Sequence, residues 1–406
     1  MSDKLRAVFG APVDDGAVRQ IVACLEDDRA VAGALMADHH LGYSMPIGGV
    51  VAYRDAISPS GVGFDIACGN KAVRTELRAD EVVVPEAMRE VQRMVSFGIG
   101  RRNPSPVEHE LFDSPVWAEL GRPGLELREK ARAQLGTVGS GNHYVDLLAD
   151  EEGFVWIACH FGSRGFGHTV ATWFLAVAAG LSIGDRVPQS EVPAVLDVGT
   201  AGGDLYVESM RLAGEYAYAG RDHVVGQVLG ILDAPAVTES VHCHHNFAWL
   251  EDDLWVVRKG ATPLTDELAF IGGSMGDVSV VVRGTGDEIG ALGSAPHGAG
   301  RVMSRTKAAG KWKRETVTRR GADGKDVVKV VRVRDASTAA VDWPAVQRAL
   351  HDRGITVLGS GADEAPEVYK DLRSVIGVHP NIEVVHTLAP LGVVMAGDDT
   401  FDPYKD

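Results

Sequence analysis

The chain has 406 residues, 45% of them hydrophobic and 24% charged, an ordinary balance for a soluble globular protein. No apolar run reaches the roughly 20 residues of a membrane span, and no long apolar stretch follows the N-terminus, so neither a membrane protein nor a secretory signal is expected. A net charge of −16 argues against broad non-specific affinity for nucleic acid, though not against a local basic groove.

Along residues 14–38, Val18, Ile21, Val22 and Leu25, then Val31, Leu35 and Met36, predict two short helices. Asp38-His39-His40-Leu41-Gly42-Tyr43 leads into a short buried strand over 45–53. A strand is expected over 70–77 and an amphipathic helix over 85–97, on Met88, Val91, Met94 and Val95. Residues 100–125, rich in Pro, Arg and Glu, predict a surface excursion, and 125–135 a basic helix. Then come a buried strand over 154–160, helices over 169–180 and 205–229, and a histidine-bearing strand over 241–249. Further strands are expected over 254–257, 270–271 and 278–282. Residues 306–340 are rich in Lys and Arg, with alternating valines from Val327 to Val333 about Gly321–Gly324, and predict a projecting basic hairpin. A helix over 343–350, a strand over 355–358, a helix over 363–375 with Pro366 near its first turn, a strand over 382–394 and a short tail over 396–406 complete the chain. No low-complexity linker divides it, which favours one interwoven domain over 1–406 with the hairpin as an insertion. The four cysteines form no C-x-x-C pair and read as reduced, in a cytoplasm.

Chemistry concentrates at Gly61-Val62-Gly63-Phe64-Asp65-Ile66-Ala67-Cys68-Gly69-Asn70, where an acid and a thiol stand three residues apart among glycines. Taken alone, this is a structural turn whose Cys packs as a small hydrophobe and whose Asp caps the next element. Later stretches add Asn142-His143, His160, His245-Asn246, Ser274 and His297-Gly298 at Gly-rich strand ends, where imidazoles serve as ligands or catalysts. Asp65, Cys68, His143, His160 and His245 are too many donors for one tetrahedral zinc. They suit two ions with a bridging thiolate, or one ion plus supporting residues. O, S and N donors together favour Mn, Zn, Fe or Co over Mg or Ca. Gly162-Ser163-Arg164-Gly165 and Gly298-Ala299-Gly300-Arg301 set an Arg beside a turn whose N–H groups could cradle phosphate, with Arg305 one helical turn beyond Arg301. Ordinary turns and surface arginines explain the same spacing equally well. No G-x-x-x-x-G-K-[ST] loop is present.

Taken together, residues 45–50, 58–69, 135–146, 160–168, 245–248, 258–262, 273–279, 294–305, 363–371 and 388–394 resemble, in order, the RtcB family of RNA ligases. The resemblance implies a single α+β domain with mixed sheets around a deep metal-containing cleft. It implies joining of RNA ending in a 2′,3′-cyclic phosphate or 3′-phosphate to RNA with a 5′-hydroxyl, in tRNA splicing or RNA repair, using GTP and two Mn²⁺ ions. By motif, Asp65, Cys68, His143, His160 and His245 would bind the ions, with Cys68 bridging, and His297 would be the nucleophile that takes GMP. Asn142 would contact phosphate near the metals, and Arg164, Arg301 and Arg305 would contact RNA or nucleotide phosphates. Asn246, Ser274, Ser279, Ala299, Gly300 and Tyr369 would line the guanylate site. An activating protein partner is left open, and no membrane is implied.

Two positions depart from the family pattern. Asp146 stands where a guanine-contacting Glu is usual, and Met395 where a Lys is usual. Metal ligands and nucleophile are retained while two guanine contacts change. Two alternatives to ligation therefore stay open: capping of 3′-phosphates or opening of cyclic phosphates without joining, and an inactive RNA-binding homologue. The hairpin over 306–340 reads first as a solvated face, with RNA contact as the other option.

Overall fold

Ala30–His40 and Ile47–Arg54 are made largely of Ala, Val and Gly, and nearly every residue is buried, as the centre of a sheet covered on both faces requires. The computed structural model describes residues 2–185, 192–320 and 326–397. In it these two strands pair antiparallel. Leu5–Val8 lies parallel on one side, and Leu254–Lys259 followed by Asn246–Glu251 on the other, giving a mixed five-stranded sheet.

A second mixed sheet runs Ala269–Ile271, Ser279–Gly284, Ile382–Gly397, Tyr144–Ala149, Phe154–Phe161, Gly69–Arg78 and Val237–His244, with Thr356–Ser360 parallel beside Ile382–Gly397. Its two end strands approach each other, so the sheet nearly closes into a barrel. Side-chain alternation divides the packing. Val73, Ile157, Val145 and Val394 face outward onto Met88 and Val91 of the helix Val84–Met94 and onto Val224 and Val228. Ala72, Trp156, Ala158, Val241, Phe270 and Val281 fill the interior. Helix Ala201–Ile231, started by Thr200 Oγ1 accepting from Gly203 N at 3.2 Å, carries Val224 and Val228 and spans both sheets. The expected α+β class with mixed sheets is what forms.

Several expected elements differ. Residues 30–40 are a strand, not a second helix. Their apolar run is buried on both faces, and spacing alone does not separate a doubly buried strand from a helix. The stretch 100–125 is not wholly a surface excursion. Leu111, Phe112, Val116 and Trp117 are core, with Trp117 Nε1 donating to Leu111 O at 2.9 Å and its ring 4.5 Å from that of Phe166. In place of a helix over 363–375 there are 3-10 turns at Ala362–Glu364 and Pro366–Val368 and a short helix Leu372–Gly377. Pro366 removes a donor there, and Asp363 and Glu364 are drawn into ion pairs with Arg305 and Arg301. Trp312–Arg320 and Asp326–Arg334 do form an antiparallel hairpin. Its expected turn at 321–324, and the tail from 398, lie outside the described residues.

Candidate metal centre and nucleophile

The Asp65–Cys68 loop is held from both ends. Pro59–Val62 makes one helical turn, begun by Ser58 Oγ accepting from Gly61 N at 3.0 Å and ended at Gly63 with φ +88°. The chain then turns through Ala67, whose N–H donates to Asn246 O at 2.7 Å. Cys68 N donates to Asp65 O at 3.0 Å, and His245 N donates to Cys68 O at 2.8 Å. His245 is the single residue between Val237–His244 of the near-barrel and Asn246–Glu251 of the other sheet. The loop is therefore stitched to the point where the chain crosses between sheets. Gly162 closes the far side. A β-carbon there would collide with the Asp65 carboxylate and the Cys68 backbone.

Side chains from four separate segments converge here. Cys68 Sγ lies 3.4 Å from His160 Nε2 and 3.6 Å from His143 Nε2. His143 Nε2 is 2.9 Å from Asp65 Oδ2. Cys68, His143 and His160 each place a ligand atom within 4.8 Å of the others. His160 Nδ1 donates to Asn70 Oδ1 at 2.9 Å, which leaves the Nε2 lone pair facing the sulfur. The His245 ring stacks on His160 with centroids 4.9 Å apart.

Burial holds His160 and His245 well below the usual imidazole range, so both are neutral donors. Burial, reinforced by Asp65, pushes the Cys68 thiol well up. Burial would raise Asp65 too, but His143 outweighs it and keeps the carboxyl low. His143 Nδ1 and His245 Nδ1 are buried and find no hydrogen-bond partner among the described residues. A carboxylate, a thiol that ionises only beside a cation, and imidazoles with unmatched nitrogens fit a divalent transition ion.

His297 approaches from the opposite wall, its ring 4.8 Å from that of His245. Its orientation is set by Asp38, fully buried in the strand Ala30–His40. Asp38 Oδ2 accepts from His297 Nδ1 at 2.6 Å and from the His297 backbone N at 3.0 Å. Burial would raise the Asp38 carboxyl, but the bonds from His297 outweigh it and hold it below the usual carboxylate range. With Nδ1–H given to Asp38, the neutral tautomer of the His297 ring carries its lone pair on Nε2, the form a nucleophile needs.

A cleft of about 650 Å³ joins these groups. Asp65, Cys68, His160, His245, His297, Arg301 and Arg305 line it, as do Asn142, Asp146, Asn246, Ser274, Ala299, Gly300 and Tyr369. His143, Ser279 and Arg164 are not among its lining residues. Ser279 Oγ accepts from Gly273 N at 3.0 Å, and Arg164 donates to Gly98 O at 2.9 Å and Thr137 Oγ1 at 3.2 Å. Arg301 donates to Asp363 O at 2.8 Å and Tyr369 Oη at 3.2 Å. Arg305 pairs with Asp363 at 3.3 Å and with Glu364. Asp146 sits opposite Val393, and Tyr144 opposite Met395, in antiparallel register, so all four face the cleft. Burial pushes the Asp146 carboxyl well up.

Sequence reasoning missed three residues. Asp38 carried a signal, an acid inside an apolar run. Asn70 ended the quoted loop without being given a role. Arg221 had no signal at all. It lies fully buried on the long helix and donates to Ala67 O at 3.1 Å and Phe161 O at 2.6 Å, beside Cys68 and His160. It also contacts His244 Nδ1 at 2.9 Å, beside His245.

Fold and site thus define a class: an α+β protein whose cleft sets a Cys/His cluster that could hold a metal against a carboxylate-oriented histidine. The family model described as tRNA-splicing ligase RtcB matches residues 20–120 and 118–352. The chain is 31% identical over 392 residues to the RNA-splicing ligase RtcB of Escherichia coli strain K12, covering 87% of this chain and 88% of that one. It is 32% identical over 412 residues to the tRNA-splicing ligase RtcB of Pyrobaculum aerophilum, covering 79% and 84%. With that of Archaeoglobus fulgidus it shares 30% over 446 residues, covering 89% and 87%. The chain belongs to the RtcB family.

Proposed function

We propose that the protein is a GTP- and Mn²⁺-dependent RNA ligase that joins 2′,3′-cyclic phosphate or 3′-phosphate ends to 5′-hydroxyl ends. The observation that carries this reading is His297, tautomer-set by Asp38 and turned toward the donor cluster across one cleft. In this mechanism His297 Nε2 attacks the α-phosphorus of GTP. The P–N bond forms as the bond to pyrophosphate breaks. An RNA 3′-phosphate oxygen then displaces His297 from that phosphorus, and the 5′-hydroxyl attacks the activated RNA phosphorus and releases GMP. A cyclic phosphate is first opened by water. Asp65, Cys68, His143, His160 and His245 would hold two ions, which would supply the positive charge that phosphoryl transfer requires. Asp38 holds the proton on Nδ1 throughout. Arg301 and Arg305, fixed by Asp363 and Glu364, face phosphate with Asn142. Asp146, Asn246, Ser274, Ala299, Gly300 and Tyr369 hold the nucleotide, with Ser279 bracing the turn beneath.

The four free cysteines support a reducing compartment, and we place the protein in the cytoplasm. No described helix is long and apolar enough to cross a membrane. The test is labelled GTP with Mn²⁺, followed by denaturing gel and acid. The expected result is an acid-labile nucleotide adduct that His297→Ala lacks. No adduct with GTP or ATP would remove the mechanism. A second reading, end-capping or cyclic-phosphate opening without joining, is favoured by Asp146 and Met395. Products formed from 3′-phosphate RNA with and without a 5′-hydroxyl partner separate the two, and joined RNA in good yield excludes the second.

A further inference from the structure

The acidity of this chain is unevenly distributed. Residues 311–334 hold nine Lys and Arg against three Asp and Glu, in a protein of net charge −16. They form the antiparallel ribbon Trp312–Arg320 and Asp326–Arg334, which pairs with no other described strand. Nine residues per strand give it a length of about 30 Å.

Its root adjoins the cleft. Arg305, which lines the cleft, opens the short helix Arg305–Ala309, Lys307 is exposed on that helix, and the ribbon starts at Trp312. The root is fixed by the Arg334 guanidinium, 4.1 Å over the Trp312 ring and donating to Gly310 O at 3.0 Å. Beyond it, Arg314 lies directly opposite Arg332 in the register. Two guanidiniums so placed offer adjacent donors to an anion lying across the strand pair. The same face continues through Thr316 and Thr318 to Val330 and Val328, which are 66% and 63% exposed.

We propose that this ribbon is a docking arm for the phosphate backbone of the RNA that flanks the end held in the cleft. The proposal rests on the RNA-ligase reading and extends it. RNA is favoured over a second copy of the chain because an RNA end seated at Arg301 and Arg305 must carry its backbone outward over the rim. Lys307, Arg314 and Arg332 succeed one another there along the chain.

Two variants test it: Arg314→Gln with Arg332→Gln, and a trimmed chain with 313–333 replaced by a short Gly-Ser turn. Affinity is measured across a salt series for a 3′-phosphate RNA of about 25 nucleotides and for one of about 6. Each single-strand phosphate contact contributes about 0.7 to the salt slope. Two lost contacts therefore lower the slope by about 1.4, and long-RNA affinity falls at least about tenfold at low salt. Short-RNA affinity is retained, as is adduct formation with GTP, a step without RNA. Unchanged long-RNA affinity and slope in both variants overturn the proposal while leaving the ligase reading intact. So does a dimer seen on sizing that both variants abolish while RNA affinity persists. A wild-type protein that forms no adduct and binds neither RNA removes the ligase reading and the docking arm together.

Discussion

Replacing Asp38 with Asn leaves volume almost unchanged and isolates the role of the charge. Asp38 Oδ2 accepts at 2.6 Å from His297 Nδ1 and at 3.0 Å from the His297 backbone N. Losing one hydrogen bond to a buried charged group costs about 1.5–3 kcal/mol, which is about 10- to 150-fold in a rate that depends on it. The substitution also acts on the tautomer. If the Asn oxygen keeps the backbone N–H, its amide nitrogen faces Nδ1 and donates to it. The ring proton then moves to Nε2 and blocks the nucleophile. The expected rate of adduct formation is therefore at least about 100-fold lower, with metal content unchanged. Single-turnover labelling with GTP measures the rate. Stability provides a second readout. The Asp38 carboxyl is held below its ordinary value of about 4, so the folded state binds fewer protons than the unfolded chain. Its contribution is present above about pH 4 and is lost as pH falls through the lower folded value, so the variant loses less stability on acidification than wild type. A labelling rate within about threefold of wild type refutes the orienting role.

The fold was readable where periodicity is unambiguous. Met88 and Val91 mark a one-sided helix, and the strand at 154–160 is apolar and short, with few competing readings. It was unreadable where burial on both faces erases periodicity, as at 30–40, and where side-chain pairing overrides local preference, as at Asp363 and Glu364. The candidate metal donors were legible because they lie at strand ends, most of them beside glycines, and because their order along the chain matches a family. Geometry adds what order does not contain. Asp38 and His297 are 259 positions apart, and only the packing of one sheet against the loop after Ser294–Pro296 brings them together. Arg164 and Ser279 show what motif spacing does not contain: Arg164 is tied to Gly98 and Thr137, and Ser279 to Gly273.

Cys68→Ser exchanges the central soft donor for a hard one and is expected to weaken transition-metal binding at least about tenfold; full metal content by elemental analysis would refute the two-ion reading. Met395→Lys places an ammonium near Asp146, whose carboxyl burial now holds high, and draws that carboxyl down. One added charge-assisted contact is expected to tighten GTP about tenfold over ATP in competition labelling, and unchanged selectivity would refute a guanine-reading role for this wall. Arg221 supports the strongest claim about positioning. Its guanidinium ties Ala67, Phe161 and His244, the immediate neighbours of three candidate ligands, from one helix. An ammonium keeps the charge but loses the planar fork that reaches both carbonyls and the imidazole together. Arg221→Lys is therefore expected to lower Co²⁺ affinity about 10- to 100-fold and to change the cobalt–thiolate absorption band. His244→Phe, which keeps the stack on Tyr218 but removes the acceptor, is expected to lower affinity in the same direction. A merely structural arginine would reduce thermal stability and leave the cobalt band of the folded fraction unaltered, and that outcome in both variants would refute the positioning role.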